Sequence, residues 1–332
     1  MTAPLAVRAT ADFLPERVAK VVDLPELAEL PADRRQACLD LGIEQVRADP
    51  RYDAVELAAN AAGKVLAETG ARPDALVVIG SRAPERLMSS EATRLQALLG
   101  LSDALTFSVG GLGCVSITPA LLTARGLLAA DPALDQVLVV HGSRPPTPRR
   151  YRHPVTVSGD GGQAVLLSRT GPLRVLDMVQ ATNGDYWDLY TVRFRDLPEG
   201  DWREECADPR RYSFQLAVEG RLRLRELYRE LLARNGMTTA DVNCHLSQNL
   251  SAGAFRFTEE VLGVRLAGAC AENLVSYGHL GPNDILLNLS TAIAGGELPP
   301  GSRAVVVNAS PVAAWSLLLV EHVRDDTETH YL

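Results

Sequence analysis

The stretch Gly110-Gly111-Leu112-Gly113-Cys114 lies between a β-branched run, residues 106–109, and an apolar stretch continuing to about Ala130, so it reads as a strand–turn–helix junction. Two chemistries use such a junction. A glycine-rich turn into a helix can hold the pyrophosphate of a dinucleotide, but Ser116 stands where the third glycine belongs and the next strand ends in His141 instead of an acid for the ribose. A thiol at this address fits better. The start of a helix offers the positive end of its dipole and several unpaired N–H groups, which lower a thiol pKa and can receive an oxyanion. Cys114 is therefore a candidate nucleophile; the alternative is a small buried residue packing a tight turn. Position alone does not choose between them. Cys38, Cys206, Cys244 and Cys270 are scattered without any CxxC, so five cysteines imply neither a disulfide framework nor a zinc site, and no metal is expected.

The elements around this junction follow from periodicity. Leu57, Ala61 and Val65 mark a helix over 52–69, ahead of a buried strand at 75–80. A helix over 89–100 starts at Ser89 or Ser90 and ends at Gly100. Strands at 106–109 and 136–142 flank the long helix. The apolar runs are continuous, which indicates strands covered on both faces by helices. Residues 143–153, rich in Pro and Arg, read as an exposed loop. The rhythm then resumes with strands at 158–169, 173–182 and 242–247 and helices near 210–235, 251–262 and 284–295. Strands at 303–309 and 313–321 close the chain. The strand-and-helix succession thus occurs twice, with a boundary near Gly171.

With 332 residues, 46% of them hydrophobic and 22% charged, the chain can bury a deep core. Aromatics at 5% and a net charge of -8 exclude a stacking, basic nucleic-acid platform. No apolar run is expected to reach the roughly 18 residues of a membrane span, and the first residues lack the pattern of a leader, which points to a cytoplasmic protein.

Four segments in chain order, LVVIGSRAPERLMSSEATRLQALLGL, FSVGGLGCVSITPALLTARGLL, GDGGQAVLL and YGHLGPNDILLNLSTAIAGGELPPGSRAVVVNAS, resemble the β-ketoacyl-ACP synthase III branch of the thiolase superfamily. The resemblance implies an α/β protein with a thiolase-like five-layer αβαβα sandwich of two similar halves. Residues 1–170 would carry the nucleophilic cysteine and 171–332 the His and Asp. It implies a homodimer, an acyl thioester on Cys114, a donor that is an acyl carrier protein or acyl-CoA, and no bound cofactor.

Departures from the family pattern redirect the chemistry. Its His-Gln-Ala-Asn motif falls in DVNCHLSQNLSAG, with Gln248 at the His position and Asn249 beside it. His245, three residues earlier on a strand, points to the other face and is expected to be structural. The family's second assisting residue, an Asn, falls on His279. A malonyl-derived enolate needs two donors, and Gln with His is a doubtful replacement. One His near a thiolate, oriented by an acid, is what simple acyl transfer needs. The arrangement of His279, Asp284 and Asn288 resembles an atypical branch of synthase-III-like acyltransferases of natural-product pathways that use a Cys-His-Asp triad. Asp284 also suits a helix N-cap. The segment matching the family's adenine clamp reads Asp40-Leu41-Gly42-Ile43, and its oxyanion loop reads Ala309-Ser310-Pro311-Val312, where Pro311 has no N–H, so either Val312 substitutes or the oxyanion hole is altered.

Arg221, Arg225 and Arg229 recur at helical spacing and make a candidate docking stripe for an acidic carrier; the alternative is a solvated face balanced by Glu219, Glu226 and Glu230. The sequence thus predicts an acyltransferase that loads Cys114 and passes the acyl group to a hydroxyl or amine of a small-molecule acceptor, a secondary-metabolite intermediate, with Cys114, His279 and Asp284 catalytic. Gln248, Asn249 and Val312 are expected around the substrate and oxyanion. The alternatives are a decarboxylating β-ketoacyl synthase and a catalytically silent partner subunit.

Overall fold

Continuous apolar runs such as Ala75–Ile79 show no polar face to water, so they need cover on both sides. The computed structural model, which describes residues 3–324 apart from Ala83, Leu87 and Arg193, shows how they obtain it. Its main sheet contains β1 (Ala6–Phe13), β2 (Ala75–Ile79), β3 (Leu105–Val109), β4 (Val137–Ser143) and β5 (Gly161–Ser168) in one wing. The other wing contains β6 (Leu173–Thr182), β7 (Cys244–Ser247), β8 (Arg303–Ser310) and β9 (Ala314–His322). The spatial order is β7–β8–β9–β6–β1–β5–β4–β2–β3.

From the middle outward the wings repeat one another. β1 runs antiparallel to β5, β5 antiparallel to β4, and β4 parallel to β2; likewise β6 runs antiparallel to β9, β9 antiparallel to β8, and β8 parallel to β7. β3 extends the first wing alone. The wings join in the register Ala6↔Arg174 and Val7↔Leu173.

Helices α1 (Ala54–Thr69), α2 (Glu91–Leu99), α3 (Ile117–Ala130), α4 (Ala217–Arg234), α5 (Ala252–Leu262), α6 (Gly268–Tyr277) and α7 (Asp284–Ala294) fill the layers. Alternate strand residues feed different cores. Leu76 and Leu138 pack against Val55 and Leu95 of α1 and α2. Their neighbours Val77 and Val139 face Ile117 and Leu121 of α3, in a core that also takes Ile285 of α7 and Val306 and Leu318 of the second wing. Val305 and Leu317 turn outward to Leu227 of α4 and Val261 of α5. The result is helix, sheet wing, helix pair, sheet wing, helix: the five-layer α/β sandwich that the sequence predicted.

The caps agree with the sequence where it was specific. Asp53 and Glu56 form a capping box on α1, Ser90 Oγ accepts from Thr93 N–H on α2, and Gly100 ends α2 in a left-handed conformation. Three expectations are corrected. Gly113–Ala130 forms one helical run that is long and apolar enough to cross a membrane by length and composition; more than half of it is buried between the wings as a core helix. The segment 143–153 is not simply exposed, since Arg152 is 5% exposed and pairs Tyr151–Arg152 with Thr156–Val157. β1 and α6 carried no assignment at all. Only Ala6 and Val7 of β1 are fully buried, and Arg8, Thr10 and Asp12 interrupt its apolar pattern.

Candidate active site

Both α3 and α7 begin at the centre of the sandwich, and each is preceded by a tight turn that carries a reactive side chain. Gly113 has φ +56, and a Cβ there would lie 2.5 Å from Ser310 Oγ, so this position needs glycine and sets Cys114 at the second residue of the 3-10 turn Gly113–Ser116. Asn308 Nδ2 donates to the Cys114 carbonyl at 2.8 Å and holds it there. Gly278 plays the matching part before His279, with φ +63 and a Cβ position 2.7 Å from Val157 O. The His279 backbone is pinned on both sides: its N–H donates to Val157 O and its carbonyl accepts from Gly159 N–H, each at 3.0 Å.

These turns bring Cys114 Sγ to 3.1 Å from His279 Nε2. His279 Nδ1 lies 2.6 Å from Asp284 Oδ2. Asp284 is fully buried, and its carboxylate also accepts from Asn249 N–H at 2.9 Å and Leu280 N–H at 2.6 Å. An acceptor-only carboxylate puts the proton on Nδ1 and leaves Nε2 for the thiol. Asp284 is the first residue of α7 and its oxygens are engaged away from that helix's own amides, so it is not the N-cap that the sequence also allowed. Asn288, one turn further on, donates to Ser247 O and to Asn249 Oδ1, and itself accepts from Asn273 Nδ2 at 2.8 Å. This chain of amides fixes the backbone that in turn fixes Asp284.

Electrostatics separate Cys114 from the other cysteines. Burial pushes Cys38 and Cys270 up to about 12 and Cys244 up to about 11, and it raises Cys206 as well. Burial acts on Cys114 too, but the charge and hydrogen bond of His279, helped by Arg152 and Arg82, outweigh it and lower the thiol pKa. Burial opposes the charged form of His279, yet Cys114 and Asp284 raise its pKa well above the usual imidazole range. The two shifts run in the same sense, each group favouring the charged form of the other.

Cys114 and His279 open into a cavity of about 340 Å3 whose wall includes Arg82, His141, Arg152 and Val312. A second, more apolar cavity of about 400 Å3 lies across the turn after β8, lined by Leu224, Gln248, Phe257, Pro311 and Trp315. Of the three residues expected around the substrate, Val312 lines the Cys114 cavity. Gln248 lines the second cavity, with Oε1 accepting from Ala309 N–H at 2.9 Å, and Asn249 is buried in the amide chain behind Asp284. His245 faces away, its Nε2 2.9 Å from Tyr228 Oη.

In the arginine stripe, Arg221 pairs with Glu260 of α5 at 2.8 Å and Arg225 donates to Val261 O at 3.0 Å, while Arg229 Nε reaches the Arg225 carbonyl. The glutamates expected to balance them pair elsewhere, Glu219 and Glu226 with Arg223 and Glu230 with Arg234. Sequence reasoning missed Arg82, Arg152 and the cavity role of His141, because tertiary folding alone brings them beside the thiol. Among the described residues no group of three or more His, Cys, Asp or Glu could hold a metal ion.

No family model matches the chain. A β-ketoacyl-[acyl-carrier-protein] synthase III of Koribacter versatilis is 26% identical, with 90% of this chain and 92% of that one covered. Among solved structures, 3-oxoacyl-(acyl carrier protein) synthase III, FabH, from Pseudomonas aeruginosa PAO1 matches with a TM-score of 0.78 at 19% identity, covering 97% of this chain and 99% of that one. ChlB3, described as an acyltransferase, matches with a TM-score of 0.81 at 23% identity over 96% and 98% of the two chains. The fold is thus thiolase-like. Along nearly its whole length the chain is similar to β-ketoacyl-ACP synthase III proteins, the resemblance that the sequence motifs indicated, and the proteins it is similar to are named synthases or, for ChlB3, an acyltransferase.

Proposed function

We propose that the protein is an acyltransferase that takes an acyl group from an acyl-ACP or acyl-CoA onto Cys114 and passes it to a hydroxyl or amine of a small biosynthetic intermediate. The Cys114–His279–Asp284 geometry carries this reading. The Cys114 thiolate adds to the donor's thioester carbonyl, the donor sulfur leaves and takes the proton from His279 Nε2, and a Cys114 thioester results. The neutral imidazole then removes the acceptor's proton as that oxygen or nitrogen attacks, and Cys114 leaves as thiolate with the proton held on His279. Asp284 keeps the ring oriented through both steps. The Cys114 N–H, near a helix start where amides lack intrahelical acceptors, and the Val312 N–H receive the oxyanion.

In this reading residues 1–170 form the half that supplies the nucleophile and 171–332 the half that supplies the base; residues 1–2 and 325–332 lie outside the described ones. The protein acts as a cytoplasmic homodimer, and the exposed part of the Arg221, Arg225 and Arg229 face meets an acidic carrier.

Decarboxylative condensation is the second reading, favoured by the names of the relatives. It requires two donors for the enolate, and Gln248, its Oε1 held by Ala309 N–H, lines the neighbouring cavity and not that of Cys114. One experiment tests both. Intact mass after incubation with acyl donors should show one adduct that Cys114→Ala abolishes, and malonyl donors should release no carbon dioxide above background. Steady Cys114-dependent release would establish the condensing enzyme instead, and no adduct from any donor would leave the silent subunit.

A further inference from the structure

The Arg152 guanidinium is a buried cation beside the nucleophile that takes no proton and bonds no reacting atom in the transfer steps above, though its charge helps lower the Cys114 pKa. It lines the Cys114 cavity. Its Nε lies 2.6 Å from Glu204 Oε2, and Glu204 Oε1 accepts from Arg82 Nη1 at 2.8 Å, so one carboxylate serves two guanidiniums. Arg152 Nη1 is buried with no hydrogen-bond partner among the described residues, and Nε, though at ion-pair distance from Glu204, makes no aligned hydrogen bond either. A buried charged donor left unpaired is unfavourable, and a ligand that pairs it gains by doing so. The same wall presents Ser143, Ser158 and His141, whose Nδ1 lies 2.8 Å from Ile79 O. A saturated chain would desolvate these groups without return, whereas the neighbouring cavity offers Leu224, Phe257 and Trp315.

A bound thioester has two arms. The pantetheine arm shared by CoA and carrier donors is uncharged near its sulfur and carries its phosphate at the far end, so a cation close to Cys114 has the acyl arm to meet. We propose that Arg152 is a specificity-determining residue that selects a short acyl group ending in a carboxylate, met by its guanidinium at the wall of the cavity of about 340 Å3. This deepens the acyl-transfer reading above and rests on it. The carboxylate could belong to the acyl group or to the acceptor, and loading measured without acceptor separates the two.

The test compares succinyl and butyryl donors, which have equal chain length and differ in the terminal carboxylate, as CoA thioesters and on a carrier protein. Adduct formation on Cys114 is followed by intact mass without acceptor. Succinyl should load ~10-fold or more faster, the scale of one charge-assisted hydrogen bond, and Arg152→Gln should bring the ratio to unity or below. Both donors meet the same thiol, so the ratio cancels any change in its reactivity. Should Arg152→Gln fail to fold, Glu204→Gln frees Arg152 from its internal partner and should raise the ratio. Equal loading in the wild type, an unchanged ratio in Arg152→Gln, a fall in Glu204→Gln, or a preference seen only with acceptor overturns the proposal while the transfer reading stands. No adduct from either donor removes both.

Discussion

The turn that holds Cys114 and the turn that holds His279 are built alike, yet they are supported differently. Each places a left-handed glycine immediately before the reactive residue, against a neighbour that leaves no room for a Cβ. Behind Cys114 stands one side-chain amide, Asn308, donating to its carbonyl, and the thiol opens on a cavity. Behind His279 stand Asp284, then Asn249, then Asn288 and Asn273, all buried. A nucleophile has to reach and leave carbonyl carbon, so what matters is its charge and line of approach. A base has to keep one tautomer and one orientation through two proton transfers, so it gains from depth.

That contrast predicts graded losses. His279→Ala should slow transfer from acylated enzyme to acceptor by ~100-fold or more, with Asp284→Asn milder, as single-turnover measurements on the Cys114 thioester will show. The same His279 variant removes the cation that lowers the Cys114 pKa, so its thiol pKa rises and alkylation by iodoacetamide at neutral pH slows, recovering as pH is raised. Wild-type alkylation and transfer would erase the distinction between the two turns. Gly113→Ala comes next: the new methyl meets Ser310 Oγ and the residue sits at φ +56, so acyl loading should fall roughly 10- to 100-fold by displacement of the thiol. Asn288→Ala, three contacts removed from the ring, should cost less than about 10-fold in transfer, since it acts by loosening Asn249 and leaves the reacting groups in place. A larger loss than in Gly113→Ala would mean that depth counts for more than alignment.

The parts of this site legible in the sequence are those carried by local pattern. The strand–glycine–helix junction exposed Cys114, and His279 followed by Asp284 lies within one turn and one helix start. Continuous apolar strands alternating with amphipathic helices showed sheets covered on both faces, while the five-layer order came from the family resemblance. What escaped depends on distant contacts. Arg152 sits in a segment whose composition reads as solvent-exposed, and only its pairing with Glu204, 52 positions along the chain, draws it inward. Gln248 matched a family position by alignment, yet the Ala309 amide claims its oxygen, which spacing along the chain does not reveal. β1 was silent because its buried end is just Ala6 and Val7.

The join between the two sheet wings bears on how the protein comes into being. The nucleophile is synthesised 165 residues ahead of its base, and the two meet only when the second wing closes on the first. Without the second wing the thiol lacks the His279 charge and hydrogen bond, the largest of the effects that offset its burial. The wings share the core between α3 and α7, and its closure completes the relay at the same moment. The reactivity of Cys114 is thereby a property of the joined wings, since its imidazole partner is supplied only by the second.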